Sequence, residues 1–201
     1  MKILNLYAGI GGNRKLWGND HEITAVELDP KIAKIYKDLY PNDKVIITDA
    51  HQYLLDHMLE FDFIWSSPPC PTHSTMRNLW NNKDEYPKKY PNMMLYEEII
   101  LLKHFFKRGK WVVENVISYY DPLIKPTKSE NHYFWSNFNI PKLPKINRNI
   151  RRGSLEKIKS QMNFFGFDFD ISKYKTNFLN TILNNCVTPE LGVKILKNGA
   201  R

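Results

Sequence analysis

An apolar run, Phe61-Asp62-Phe63-Ile64-Trp65, passes directly into Ser66-Ser67-Pro68-Pro69-Cys70-Pro71-Thr72-His73-Ser74. The run reads as a buried strand. The prolines after it fix their own φ angles, remove backbone donors and keep the residues before them extended. The chain must therefore leave its sheet here in one stiff shape, carrying a cysteine. A thiol at the carboxyl end of a strand lies where open α/β sheets place their chemistry. A free cysteine is equally at home as a small buried residue in a turn, and this stretch alone leaves both readings open.

The flanking sequence predicts the sheet. Lys2 to Leu6 is a short apolar strand, followed by a glycine turn at Tyr7 to Gly12 and a helix start at Asn13 to Trp17. His21 to Leu28 reads as a second strand ending in Glu27. Asp29-Pro30 then opens a helix, with proline at the favoured first position. Its apolar residues, Ile32, Ala33, Ile35, Tyr36 and Leu39, fall at helical spacing. Lys44 to Thr48 is a third strand ending at Asp49, His51 to Leu59 a helix, and Phe61 to Ser66 the fourth strand. Met93 to Lys107 predicts a long amphipathic helix, and Trp111 to Val113 a fifth strand ending in Glu114-Asn115. This alternation predicts an α/β fold: a doubly wound, Rossmann-like parallel sheet with helices on both faces.

The order changes after about residue 120. Asn131 to Phe138 predicts another strand and Leu155 to Phe165 a helix. Asn177 to Lys197 predicts a helix broken at Thr188-Pro189. Pro141 to Arg152 is basic and reads as loop. Thr75 to Pro91 is polar and aromatic without a clear period, as functional lids and disordered loops are.

Composition narrows the class. A chain of 201 residues suits one domain with a real core. Its two cysteines, Cys70 and Cys186, lie far apart and outside any Cys-x-x-Cys pattern, which argues against a disulfide framework and a cysteine-rich zinc site and points to a reducing cytoplasm. No metal is expected. No apolar run is long enough to span a bilayer, and the N-terminus lacks a signal-peptide layout. The net charge of +8 suits a polyanionic partner, or a lysine-rich genome.

Two further motifs carry chemistry. The turn Tyr7-Ala8-Gly9-Ile10-Gly11-Gly12 has glycines spaced G-x-G-G, not the G-x-G-x-x-G of dinucleotide enzymes. That argues against NAD. Glu27 and Asp49, at the next two strand ends, suit a ribose diol and an adenine amino group; they suit helix caps as well. Glu114 is a carboxylate at the end of a buried strand, costly unless paired or protonated. Protonated, it would donate to a heterocycle nitrogen; otherwise it caps a helix or forms a salt bridge. His73 and Arg77 are the thiol's basic neighbours in sequence.

Together these elements resemble the C5-cytosine DNA methyltransferases, over nearly the whole chain and most of all the short phage-type members. Leu6 to Gly12 looks like the family's cofactor motif, with Tyr7 where Phe is usual. Ser67-Pro68-Pro69-Cys70 looks like its nucleophile motif, Glu114-Asn115-Val116 matches its Glu-Asn-Val triplet, and Asn185-Cys186-Val187-Thr188-Pro189 resembles its C-terminal motif.

The resemblance implies S-adenosylmethionine as cofactor, S-adenosylhomocysteine as product and duplex DNA as partner. It places the cofactor against Tyr7, Ala8, Gly9, Ile10, Gly11 and Gly12. Glu27 would meet the ribose and Asp49 the adenine, with Leu28, Ala50, Pro68, Asn185 and Val187 also at the cofactor site. Cys70 would attack C6 of a flipped-out cytosine, Glu114 would hold the ring through N3 and the exocyclic amine, and Asn115 and His132 would complete the catalytic set. Substrate contacts would fall to Ser67, Pro69, Ser74, Arg77, Arg148, Arg151 and Arg152.

There are departures. Pro71 stands where the family has Gln, and His73 where it has Phe. In the strand Ser129-Glu130-Asn131-His132-Tyr133-Phe134-Trp135, Glu130 and His132 occupy the family's arginine positions. Residues 1–140 would form the catalytic core, 141–176 a reduced recognition segment and 177–201 C-terminal helices packed back on the core. Asn137 to Asn184 leaves only about fifty residues where the family places its recognition domain. Relaxed specificity, a recognition role for Thr75 to Pro91 or a second subunit are the alternatives. Two further readings stay open: a tRNA substrate, as in one branch of the family, and a catalytically silent member that binds cofactor or DNA and acts through a partner.

Overall fold

Burial on both faces sets the sheet. In β1 (Lys2–Leu6), Leu4 and Leu6 join one apolar cluster and Ile3 the other. In β4 (Phe63–Ser66), Ile64 joins the first, Phe63 and Trp65 the second. Side chains on successive strand residues point to opposite faces, and a strand covered on both faces is apolar throughout. The computed structural model describes residues 1–81, 83, 85–146 and 154–200.

The remaining strands are β2 (Glu22–Val26), β3 (Lys44–Ile46), β5 (Lys110–Val116), β6 (Thr127–Ser129) and β7 (His132–Ser136). They form one seven-stranded sheet in the order β3-β2-β1-β4-β5-β7-β6. β1 to β5 run parallel, as the alternation predicts. β7 runs antiparallel to both β5 and β6, so the sheet is mixed at one edge. The strand predicted at Asn131 to Phe138 is β7; its short partner β6 has no apolar run to announce it.

The helices are α1 (Pro30–Leu39), α2 (Ala50–His57), α3 (Thr75–Asn81), α4 (Met94–Phe105), α5 (Leu155–Phe165), α6 (Thr176–Asn184) and α7 (Pro189–Gly199). Leu54 of α2 and Leu95, Ile99 and Leu102 of α4 cover one face of the sheet. Leu191, Ile195 and Leu196 of α7 cover the other. Ile158, Met162, Leu179 and Leu183 of α5 and α6 pack with Ile10 and Ile35 in a separate cluster. None of the described helices is long and apolar enough to cross a membrane.

Two local expectations change. Asn13 to Trp17 is a series of turns, not a helix: Asn13 donates to Asn5 Oδ1 at 2.8 Å, and Arg14 forms a bidentate pair with Asp43 at 2.8 and 3.0 Å. Those inward side chains hold the segment against the sheet. Within Thr75 to Pro91, the first turns are helical as α3. Ser74 accepts from the Arg77 amide at 3.3 Å, and Asn81 exchanges two hydrogen bonds with the Lys89 backbone.

Candidate active site

The carboxyl ends of β1 to β5 surround one cavity of about 800 Å³. Its walls come from places far apart in sequence: the glycine turn, the ends of β2, β3 and β5, the proline loop, the start of α4, β7 and the Asn185–Val187 segment.

The glycine turn begins at Tyr7, whose φ of 53° is unusual for a residue with a side chain. Gly11 follows with φ 76°, and a Cβ there would stand 2.4 Å from the Tyr40 ring. The Tyr40 hydroxyl donates to the Gly11 carbonyl at 2.8 Å, and the Arg14 guanidinium lies 5.0 Å over the Tyr40 ring. Gly11 is thus the buried anchor of the turn and does not line the cavity. At Gly12 a Cβ would meet Cys186 Cβ at 2.6 Å and the Val187 carbonyl at 2.7 Å. That close approach brings the C-terminal motif onto the turn.

Glu27 accepts from the Gly9 amide at 2.9 Å through one oxygen and from the Asp29 amide at 3.0 Å through the other. Asp49 is the N-cap of α2, accepting from the Gln52 amide at 2.8 Å. Both carboxylates still face the cavity. At Asp49 the capping role and the lining role coexist.

The proline loop follows β4. The Asn115 side-chain amide donates to the Pro68 carbonyl at 2.9 Å, and Trp65 donates through its indole to Ser67 at 2.9 Å. Cys70 is half-buried and free. Burial pushes its thiol up to about 11, helped by the negative charge of Glu114. Glu114 lies within the buried stretch of β5, and its Oε1 lies 3.7 Å from His132 Nε2 on β7. Cys70, Glu114, Asn115 and His132 all line the same cavity as Tyr7, Glu27 and Asp49.

Other expected residues divide. Ala8, Gly9, Ile10, Gly12, Leu28, Ala50, Ser67, Pro68, Pro69, Asn185 and Val187 line the cavity. Ser74 and Arg77 do not. Ser74 holds the start of α3, while Arg77 donates to the Pro87 carbonyl at 2.6 Å and lies 5.9 Å over Trp80. His73 is buried with its Nδ1 2.5 Å from the Tyr120 hydroxyl, and burial lowers its pKa. It is therefore not the cation beside the thiol. Arg148, Arg151 and Arg152 lie outside the described residues. The described residues hold no cluster of metal-ligating side chains.

The model of the C-5 cytosine-specific DNA methylases matches residues 1–122. The chain belongs to this family. No curated relative matches it. Among solved structures, a mutant of DNMT2 from Spodoptera frugiperda is similar, at TM-score 0.62 and 16% identity, over 100% of this chain and 99% of that one. Looser likenesses are methyltransferase EhMeth from Entamoeba histolytica (TM-score 0.46, 13% identity, 81% of this chain and 66% of that one) and a SAM-dependent methyltransferase from Agrobacterium tumefaciens (TM-score 0.42, 14% identity, 60% and 40%).

The cofactor of this C5-cytosine methylase is S-adenosylmethionine. Two carboxylates held by backbone amides suit the donors of a nucleoside, a diol and an exocyclic amine. Ile10, Ile32, Pro68 and Val187 give apolar walls for a flat ring. The donor set fits the group.

Some residues at the site were not singled out from the sequence. Asn92, Met94 and Asn184 line the cavity. Glu98 lies just behind it, fully buried. In sequence a charged pair, Glu97-Glu98, interrupts the apolar run of α4, but the pair alone does not say which member turns inward.

Proposed function

We propose that this methylase transfers a methyl group from S-adenosylmethionine to C5 of cytosine in DNA. The observation that carries the reading is the single cavity into which Cys70, Glu114 and His132 open together with the glycine turn, Glu27 and Asp49.

In this reading Glu27 takes the ribose hydroxyls and Asp49 the adenine amine. Cofactor bound there supplies an electrophilic methyl group. Cys70 sulfur forms a bond to C6 of a cytosine swung out of the duplex. The electron pair displaced from the C5–C6 double bond makes C5 nucleophilic. Glu114, protonated, donates to N3 and offsets the charge building on the ring. Protonating Glu114 also removes the negative charge that helps hold the Cys70 thiol up, so one proton serves both groups. Once C5 carries the methyl group, loss of its proton restores the double bond and expels the Cys70 thiolate. Asn115 holds the nucleophile loop to β5, and His132 stands beside Glu114.

A second reading keeps the chemistry on tRNA. Among the described residues after β7, α5 and α6 pack into the cluster around Ile10, and no separate module presents a helix or ribbon to a major groove. RNA loops offer bases already unstacked, and need less of such an element.

Labelled methyl transfer to duplex DNA and to tRNA, run side by side, separates the two. Trapping on 5-fluorocytosine in each polymer tests the mechanism. An adduct on DNA that is lost in Cys70→Ser supports the first reading, and an adduct on tRNA alone moves the substrate to RNA. Cofactor binding with no adduct on either polymer sinks both.

A further inference from the structure

Glu98 is a carboxylate on the covered side of α4, wholly inaccessible, whereas its neighbour Glu97 is exposed. Burying a carboxylate is expensive unless its oxygens are met by donors. Three groups converge on it. The Tyr7 hydroxyl donates to Oε1 at 2.5 Å, the Ser66 hydroxyl donates to Oε2 at 2.5 Å, and His51 Nδ1 lies 3.2 Å from Oε1.

Each partner belongs to a different element around the site. Tyr7 starts the glycine turn after β1. Ser66 is the last residue of β4, immediately before the loop that carries Cys70. His51 is in the first turn of α2, two residues beyond Asp49. β1 and β4 are neighbours with Leu6 opposite Ser66, yet past that pair the backbone tie is weak: Ser67 N to Leu6 O is 3.4 Å. Glu98 replaces it with two short charge-assisted bonds, one to each loop.

Tyr7 supplies a second, independent observation. Its left-handed backbone is sparsely populated for a residue with a Cβ, and persists only where its surroundings fix it. The hydroxyl bond to Glu98 is such a restraint. Packing does not need it: α4 is already seated by Leu95, Tyr96, Ile99 and Leu102.

We propose that Glu98 is a positioning residue that ties the cofactor turn to the nucleophile loop, so that filling the cofactor site is felt at Cys70. A ligand lying against Tyr7 fixes that residue's ring, hence the Glu98 carboxylate, hence Ser66 and the start of the proline loop. Linkage makes the effect reciprocal: a change at Ser66 must alter cofactor affinity, although Ser66 does not line the cavity. The inference rests on the reading of Tyr7 to Gly12 as the cofactor turn.

The test uses the full chain, with S-adenosylhomocysteine as the probe. Calorimetry gives its affinity, iodoacetamide gives the rate of Cys70 alkylation with and without it, and thermal unfolding confirms that each variant folds. In the wild type, saturating S-adenosylhomocysteine should change the alkylation rate by ~3-fold or more, and Ser66→Ala should weaken its binding by ~3–10-fold. Tyr7→Phe should do the same. The double variant should lose no more than the worse single one, because both act through one carboxylate. In Glu98→Gln the alkylation rate should no longer respond to the bound ligand.

Additive losses from Tyr7→Phe and Ser66→Ala would overturn the proposal. So would a folded Glu98→Gln protein whose Cys70 still responds as the wild type does. If Glu98→Gln does not fold, the Tyr7 and Ser66 pair decides alone. A wild-type chain that binds no S-adenosylhomocysteine overturns the functional reading itself. Binding without coupling overturns only the role of Glu98.

Discussion

Asn115 reaches from the end of β5 to the Pro68 carbonyl, 2.9 Å away, and so fastens the proline loop to the strand that carries Glu114. The same side chain also accepts from the Val116 amide at 3.0 Å, which fixes which end of the amide points at Pro68. The loop that carries Cys70 and the strand that carries Glu114 are thus joined by a buried side chain.

Replacing Asn115 by Ala should leave cofactor binding within ~2-fold and slow adduct formation by ~5–100-fold, the range for a lost buried hydrogen bond. Single-turnover kinetics on the methylated polymer would measure it. An unchanged rate would mean that prolines alone hold the loop.

The Cys70 thiol gives a pH signature. Burial is the larger cause of its rise to about 11, and the Glu114 carboxylate is the second. In the unliganded protein, alkylation should therefore keep accelerating above about pH 10, where an ordinary thiol has levelled off. Glu114→Gln removes the opposing negative charge. Its thiol should titrate lower than the wild type, and alkylation at pH 8 should be faster, while methyl transfer falls by ~100-fold or more. Slower alkylation in Glu114→Gln would reverse the assigned sign.

Much of this site is legible because its chemistry sits at strand ends. Glycines and prolines punctuate the chain there, and Glu27, Asp49 and Glu114 each close an apolar run. Local patterning sees such positions. It does not see which polar residue is turned inward. Glu98 looks like half of a solvated pair on α4 until the packing shows it beneath the glycine turn. Arg14 lies in a segment that reads as a helix start, and Asp43 between a predicted helix and strand, yet they form a buried pair. The direction of β7 was hidden for a similar reason: period two marks a strand but not its sense.

That buried pair makes a stability prediction. Arg14 and Asp43 are both nearly inaccessible, and Tyr36 donates to the same carboxylate at 2.8 Å. Asp43→Ala leaves a guanidinium buried without its partner, which costs about 3–5 kcal/mol. Denaturant unfolding should show the loss with the slope unchanged. Arg14→Ala should fall in the same range. A double variant should be less destabilised than the sum of the two, since the second substitution removes the charge that the first left unpaired.

Gly12 tests the C-terminal motif. Its missing Cβ lets the Cys186–Val187 backbone lie against the turn, and an added methyl group would meet the Val187 carbonyl at 2.7 Å. That oxygen is backbone and cannot rotate away, so Gly12→Ala must push the Asn185–Val187 segment outward. Asn185 and Val187 would then leave the wall that they share with Ile10 and Glu27. Affinity for S-adenosylhomocysteine should fall by ~10-fold or more, with a smaller change in the Cys70 alkylation rate of the unliganded protein. Gly9→Ala adds a Cβ into open space but at φ 55°. It should cost stability through strain alone, roughly 1 kcal/mol, with a milder effect on affinity. Equal losses of affinity in the two variants would show that turn strain, and not the close approach of the C-terminal motif, governs the site.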